Sequence, residues 1–194
     1  MRHSARDGHE PGLSVNGSPS APPRPATTRF VLRLAEGFGL GRSPILPGTC
    51  GTLLGLPWTA ALLATGSVRL FALGTLAGLA VSVWAAGVAE RERGRHDPPS
   101  GVIDEFTALP LAFLPLVLDD ALRQGIAPGA GAFLGRQGWW MPLLVFGLFR
   151  VFDIWKPWPA GASQRLPGGW GVTADDGIAA LYAGGAAWVL GPLG

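Results

Sequence analysis

The chain has one cysteine, one tyrosine and one lysine, and only 14% of its 194 residues are charged. An ordinary soluble domain carries about a quarter charged residues, so a conventionally solvated enzyme is a poor fit. Cys50 alone excludes an internal disulfide and a cysteine-based zinc site. Alternating apolar–polar stretches are missing, and no hairpin turn pair is flanked by two of them, which argues against a sheet. The N-terminal stretch lacks the apolar core of a signal peptide. The net charge of +2 is too small to point to nucleic acid, and none is expected as a partner. What is present is apolar: 48% hydrophobic residues, a mean hydropathy of +0.31, and eight tryptophans. Tryptophan in such excess over tyrosine suits a boundary between water and lipid.

Residues 1–28 read as a disordered tail, and 29–194 as one helical domain. Pro11, Pro19, Pro22, Pro23 and Pro25 alternate there with serine and glycine, and no apolar residue recurs at a helical period. Five apolar runs follow, at 50–66, 70–89, 106–118, 139–149 and 177–193. The second is twenty residues without a charge, which at 1.5 Å per residue spans about 30 Å, the thickness of bilayer hydrocarbon. The others are shorter and fit tilted, re-entrant or buried helices. Gly74, Ala77, Gly78, Gly184 and Gly185 would allow close helix approach. The expected fold is all-α, a membrane-embedded multi-helix bundle; the alternative is a soluble bundle with an unusually apolar core.

Counting each run as one crossing puts residues 29–49, 90–105 and 150–176 on one side. With the tail, that side holds twelve of the fifteen basic residues; only Arg69, Arg123 and Arg136 fall opposite. Basic loops stay cytoplasmic, so this side is expected to face the cytoplasm.

Four polar clusters share that side. In the first, Gly37 to Thr52, glycines permit positive φ and approach of backbone N–H groups to an anion. Thr49 or Thr52 would cap the following helix, whose N-terminus favours phosphate; taken alone, the segment reads first as a plain turn. In the second, Arg95 to Glu105, Pro98 and Pro99 break the preceding helix, and Asp104 and Glu105 open the next. Adjacent carboxylates at a membrane boundary are costly unless solvated, paired or metal-bound, although acids also suit a first helical turn. His96 reads as a loop residue.

The third cluster spaces Arg150, Asp153 and Lys156 by three, on one helical face that Pro157 ends. They read either as local ion pairs or as a phosphate site, where the only lysine would act as a point charge. Trp155 and Trp158 read as interfacial anchors. In the fourth, Thr173 and Asp176 loosely fit a capping box, while Asp175 has no such structural role. Facing Asp104 and Glu105, Asp175 and Asp176 would complete an oxygen-rich site suited to Mg²⁺.

These blocks resemble phosphatidylglycerophosphatase A, a family of bacterial Mg²⁺-dependent lipid phosphatases, over residues 30–190. The likeness rests on Pro47-Gly48-Thr49-x-Gly51-Thr52, on Asp97 with Val102-Ile103-Asp104-Glu105, on Phe149-Arg150-x-Phe152-Asp153-Ile154-x-Lys156-Pro157-Trp158-Pro159, and on Gly168-Gly169-x-Gly171-x-x-x-Asp175-Asp176. Ala108, Thr173 and Ala180 depart from the family's usual Gly, Met and Gly. The resemblance implies hydrolysis of phosphatidylglycerol phosphate, in phospholipid biosynthesis, at a bacterial inner membrane. Asp104, Glu105, Asp175 and Asp176 are then the expected metal ligands or water-positioning bases. Arg150 and Lys156 are the expected phosphate ligands with Thr49 and Thr52, and Asp153 either orients the cations or acts as nucleophile.

Other phosphatase chemistries fail on spacing. The residue six beyond Cys50 is Leu56 rather than arginine, and no Asp-x-Asp occurs. A small polytopic transporter or channel component is the alternative from another class, since intramembrane carboxylates also mark ion paths; here the acids cluster at helix starts on one side. Oligomeric state and the number of metal ions are not legible.

Overall fold

The computed structural model describes residues 24–43, 46–95, 98, 100–134 and 138–191. Most of the tail, together with His96, Asp97 and Arg136, lies outside the described residues. The described chain is all-α, as expected. Its helices are α1 (Ala26–Ala35), α2 (Pro47–Leu63), α3 (Val68–Arg93), α4 (Ile103–Gln124), α5 (Ala130–Leu134), α6 (Trp140–Trp155), α7 (Ala160–Ser163) and α8 (Gly169–Leu190), with a 3-10 turn at Gly37–Arg42. The first turn of α1 takes in Ala26 to Thr28, the end of the stretch read as tail.

The described residues of the five apolar runs fall mostly in α2, α3, α4, α6 and α8. Each helix reaches past its run into polar sequence at one end, and those extensions carry the chemistry. Their ends differ from the expected ones. Helix α3 stops at Arg93 because Gly94 turns left-handed (φ +61°), ahead of the prolines expected to break it. Helix α2 starts on Pro47 after Leu46 (φ +50°), so Thr49 and Thr52 sit inside it and cap nothing. Helix α8 starts at Gly169, after Gly168, so Thr173 and Asp176 form no capping box. Pro157 does close α6: Lys156 is its left-handed C-cap (φ +46°).

Helix α4 is the centre of the bundle, packed against α2, α3 and α8; α6 packs chiefly on α8 and also touches α4 and α2. Ala108, Leu109 and Ala112 are wholly buried. Close approach is real at selected glycines. Gly55 meets Leu109 and the Phe106 carbonyl, Gly169 the Val83 carbonyl, and Gly184 the Ala112 carbonyl. Gly74 lies against Leu62, Gly78 makes only ordinary contacts, and Gly185 faces open space. Buried hydroxyls bond within the bundle: Thr59 and Thr75 donate to carbonyls one turn back (2.7 and 2.8 Å), and Ser82 of α3 pairs with Thr173 of α8 at 2.8 Å.

Large apolar side chains also stand on the exterior. Leu70, Leu73, Leu76 and Trp84 on α3, Ile154 on α6 and Val189 on α8 are all exposed. Among the described residues, α3 is the one helix long and apolar enough to cross a membrane, and only 39% of its apolar window is buried in the protein.

Candidate active site

The first turn of α4 and the second turn of α8 bring three carboxylates together. One oxygen from each of Asp104, Glu105 and Asp176 lies within 4.8 Å of the other two. Asp104 and Asp176 are buried and Glu105 is half-buried. Asp175, the next residue along α8, turns elsewhere. Its Oδ2 accepts from Lys156 Nζ and, at 2.8 Å, from Gln164 Nε2. The expected four-carboxylate group is therefore three carboxylates plus an ion pair.

The C-terminal part of α6 and its C-cap supply the cations. Arg150 Nη1 donates to Asp153 Oδ2 at 2.6 Å, and Lys156 Nζ lies 3.9 Å from Asp153 Oδ1. The spacing by three thus does put the three side chains on one face. Arg150 Nη1 also approaches Thr52 Oγ1 at 3.4 Å, while Thr52 donates to the Gly48 carbonyl at 2.9 Å. Thr49, half-buried, forms no side-chain hydrogen bond to another described residue.

Helix α2 joins the site by having no side chain at Gly48. A Cβ there would come within 2.5 Å of Glu105 Oε1 and 3.1 Å of both Arg150 Nη atoms. Glu105 and Arg150 therefore crowd the same spot. Gly51 does likewise beside Val102 and Glu105 Oε2. These glycines, expected as an anion cradle, instead admit the acid and the guanidinium. Gln164 was not singled out at all, and nothing in its local sequence marks it.

Five carboxylates thus face two cations in one mostly buried volume. Glu105 and Asp176 stand just ahead of the apolar runs of α4 and α8. Burial raises both well above the ordinary carboxylate range, and the charges of neighbouring acids raise them further. Burial also raises Asp175, against the lowering effect of Lys156. Burial alone would lower Lys156, but its hydrogen bond to Asp175 and the surrounding acids outweigh it and raise the lysine. Glu105 Oε2 and Asp176 Oδ2 are buried without a hydrogen-bond partner among the described residues, as is Arg150 Nε. Buried carboxylate oxygens left bare are costly unless something binds them. An all-oxygen donor set fits a hard divalent cation such as Mg²⁺, and the bare guanidinium nitrogen fits an anionic acceptor.

The family description of Phosphatidylglycerophosphatase A matches residues 33–191. Phosphatidylglycerophosphatase A of Escherichia coli K12 is 33% identical over 165 residues, covering 83% of this chain and 85% of the relative. The Haemophilus influenzae protein of the same name is 32% identical over 151 residues, 77% and 82% of the two chains. A Bacteroides thetaiotaomicron protein with the provisional name phosphatidylinositol-3-phosphatase is 33% identical over 172 residues, 81% and 94% of the two. No solved structure matches at a significant level.

Proposed function

The chain belongs to the phosphatidylglycerophosphatase A family, a family of lipid phosphatases, and from that premise we propose that it hydrolyses phosphatidylglycerol phosphate to phosphatidylglycerol and inorganic phosphate with Mg²⁺. Membership sets the transporter reading aside. The observation that carries the proposal is the meeting of Asp104, Glu105 and Asp176 beside Arg150.

Asp104, Glu105 and Asp176 would hold the ion, which when bound supplies charge neutralisation on the phosphate and an acidified water. Arg150 would meet phosphate oxygens with its unpartnered Nε and remaining donors, while Asp153 and Thr52 fix its plane. Lys156 adds a point charge, held by Asp175. Asp153 has a cation at each oxygen, at 2.6 and 3.9 Å, which favours orienting the cations over attacking phosphorus. Water oxygen bonds to phosphorus, the P–O bond to the glycerol breaks, and the lipid oxygen leaves with a proton.

A substrate with acyl chains calls for a site at headgroup depth, and we propose a multi-pass protein of the bacterial inner membrane with this site at the cytoplasmic face. Exposed Trp139 and Trp155 bracket α6, and Trp170 and Trp188 bracket α8. At the helical rise these pairs stand about 24 and 27 Å apart, the spacing of two interfacial aromatic belts. The basic bias of the polar segments supports the orientation.

The test is phosphate release from phosphatidylglycerol phosphate in detergent, with EDTA and after Mg²⁺ is restored, beside phosphatidylinositol 3-phosphate. Metal-restored release from the first lipid supports the reading. Release indifferent to EDTA removes the metal, and preference for the second lipid replaces the substrate.

A further inference from the structure

Away from the carboxylates, α1, the 3-10 turn and the end of α3 enclose a second polar cavity of about 470 Å³, lined by Arg24, Arg29, Arg33, Arg42, Arg93 and Glu36. Glu36, its one acid, is 2% exposed and already committed: Arg42 Nε donates to it at 2.8 Å, and Arg93 donates to it and to Ser100. Arg24 pairs with Glu92 outside the cavity at 3.1 Å. Arg29 and Arg33 have no acidic partner among the described residues. They stand one turn apart on α1, where like charges repel. A chain with so few charges has gathered five guanidinium groups around a saturated acid.

The surroundings say where the missing anion comes from. Phe30, Phe38 and Leu40, on the same short stretch, are 58%, 71% and 43% exposed. Apolar side chains beside unpaired arginines are the composition of a segment lying at a lipid surface. We infer that this cavity binds the phosphate of an anionic bilayer lipid, at a site separate from the catalytic one. None of its lining residues belongs to the carboxylate cluster. The inference rests on the membrane placement proposed above but not on the hydrolysis.

The test uses the full chain purified in zwitterionic detergent with EDTA, read by thermal unfolding and native mass spectrometry. The probes are short-chain phosphatidylglycerol, short-chain phosphatidylcholine and inorganic phosphate. Phosphatidylglycerol is expected to stabilise the protein saturably, and the other two are not. Arg29→Gln with Arg33→Gln should weaken that binding roughly thirtyfold, at ~1 kcal/mol for each arginine near a lipid surface. The double variant should unfold at the wild-type temperature without lipid and keep the wild-type hydrolysis rate in neutral vesicles. Asp176→Asn should keep the lipid binding, so loss of hydrolysis and loss of this site remain separable. Equal stabilisation by inorganic phosphate, or undiminished lipid binding by the double variant, overturns the inference.

Discussion

Asp175 and Asp176 are consecutive in α8, yet they answer to opposite charges. Asp175 accepts hydrogen bonds from Lys156 and Gln164, whereas Asp176 shares a volume with Asp104 and Glu105. Successive helical residues point about 100° apart, so one turn of α8 serves both halves of the site.

That division predicts unlike failures. Asp176→Asn removes a proposed ligand and should raise the Mg²⁺ concentration for half-maximal activity at least about tenfold. Asp175→Asn should leave the Mg²⁺ requirement near wild type but loosen Lys156, raising KM for the lipid. It should also cost roughly 1–3 kcal/mol of stability, a partly buried ion pair falling between the exposed and buried cases. Mg²⁺ titrations of activity and thermal unfolding of both variants check this.

Arg150→Lys should lower kcat/KM about 10²-fold with little loss of fold. A lysine cannot reproduce the fork that reaches Asp153 and Thr52 while leaving Nε free for phosphate. Initial rates in mixed micelles, paired with circular dichroism, give the comparison; a wild-type rate would show that the charge alone suffices.

How much of this was legible in the sequence follows from the range of each interaction. Arg150, Asp153 and Lys156 lie within two turns, so their shared face could be read from spacing. Asp104, Glu105 and Asp176 could be nominated because carboxylates opening apolar helices are expensive, and that cost holds wherever the helices pack. That Asp175 turns to Lys156 and Gln164 while Asp176 meets the other two acids was not legible, because rotation along α8 is decided by packing. Gln164 and the Glu36–Arg93 pair were invisible for the same reason: Asp175 is eleven residues from Gln164, and Arg93 is fifty-seven from Glu36. The capping roles of Thr49, Thr52 and Thr173 failed because Pro47 and Gly168 start their helices earlier.

Gly48→Ala should cut activity by roughly 10- to 100-fold, since a Cβ there would displace Glu105 or Arg150, and misplacing a catalytic group by about 1 Å is enough. Gly185→Ala is the control. Nothing lies within 4 Å of its Cβ position, so activity should hold and helix stability should rise slightly. Rates and unfolding temperatures of the two variants decide whether closeness, rather than a flexible loop, explains the glycine.

The raised Glu105 and Asp176 set a pH signature. A carboxyl that is harder to ionise folded than unfolded contributes stability below its unfolded pKa, and that contribution is lost as pH rises through the folded one. In EDTA, unfolding temperature should therefore fall as pH rises above the ordinary carboxylate range. Mg²⁺ should reverse the fall and release protons, because ligands must be deprotonated to bind. Asp176→Asn should flatten the profile. A wild-type protein whose stability in EDTA climbs over that interval would contradict the assignment.

Membrane orientation can be read with introduced thiols, because the chain has only one native cysteine to remove. Cys50 lies in the first turn of α2, beside the site, and is partly exposed. In a Cys50→Ser background, single cysteines at Gly94 and Gly125 mark the C-terminal ends of α3 and α4, where both glycines are left-handed and have open space at the Cβ position. Strain at those turns argues for serine substitutions there as folding controls. If the basic segments are cytoplasmic, a membrane-impermeant maleimide added to intact spheroplasts should label the Gly125 position and spare the Gly94 position. Inverted vesicles should give the opposite pattern. Labelling of both from one side would mean that α4 does not cross, and the carboxylates at its start would then need another explanation for their depth.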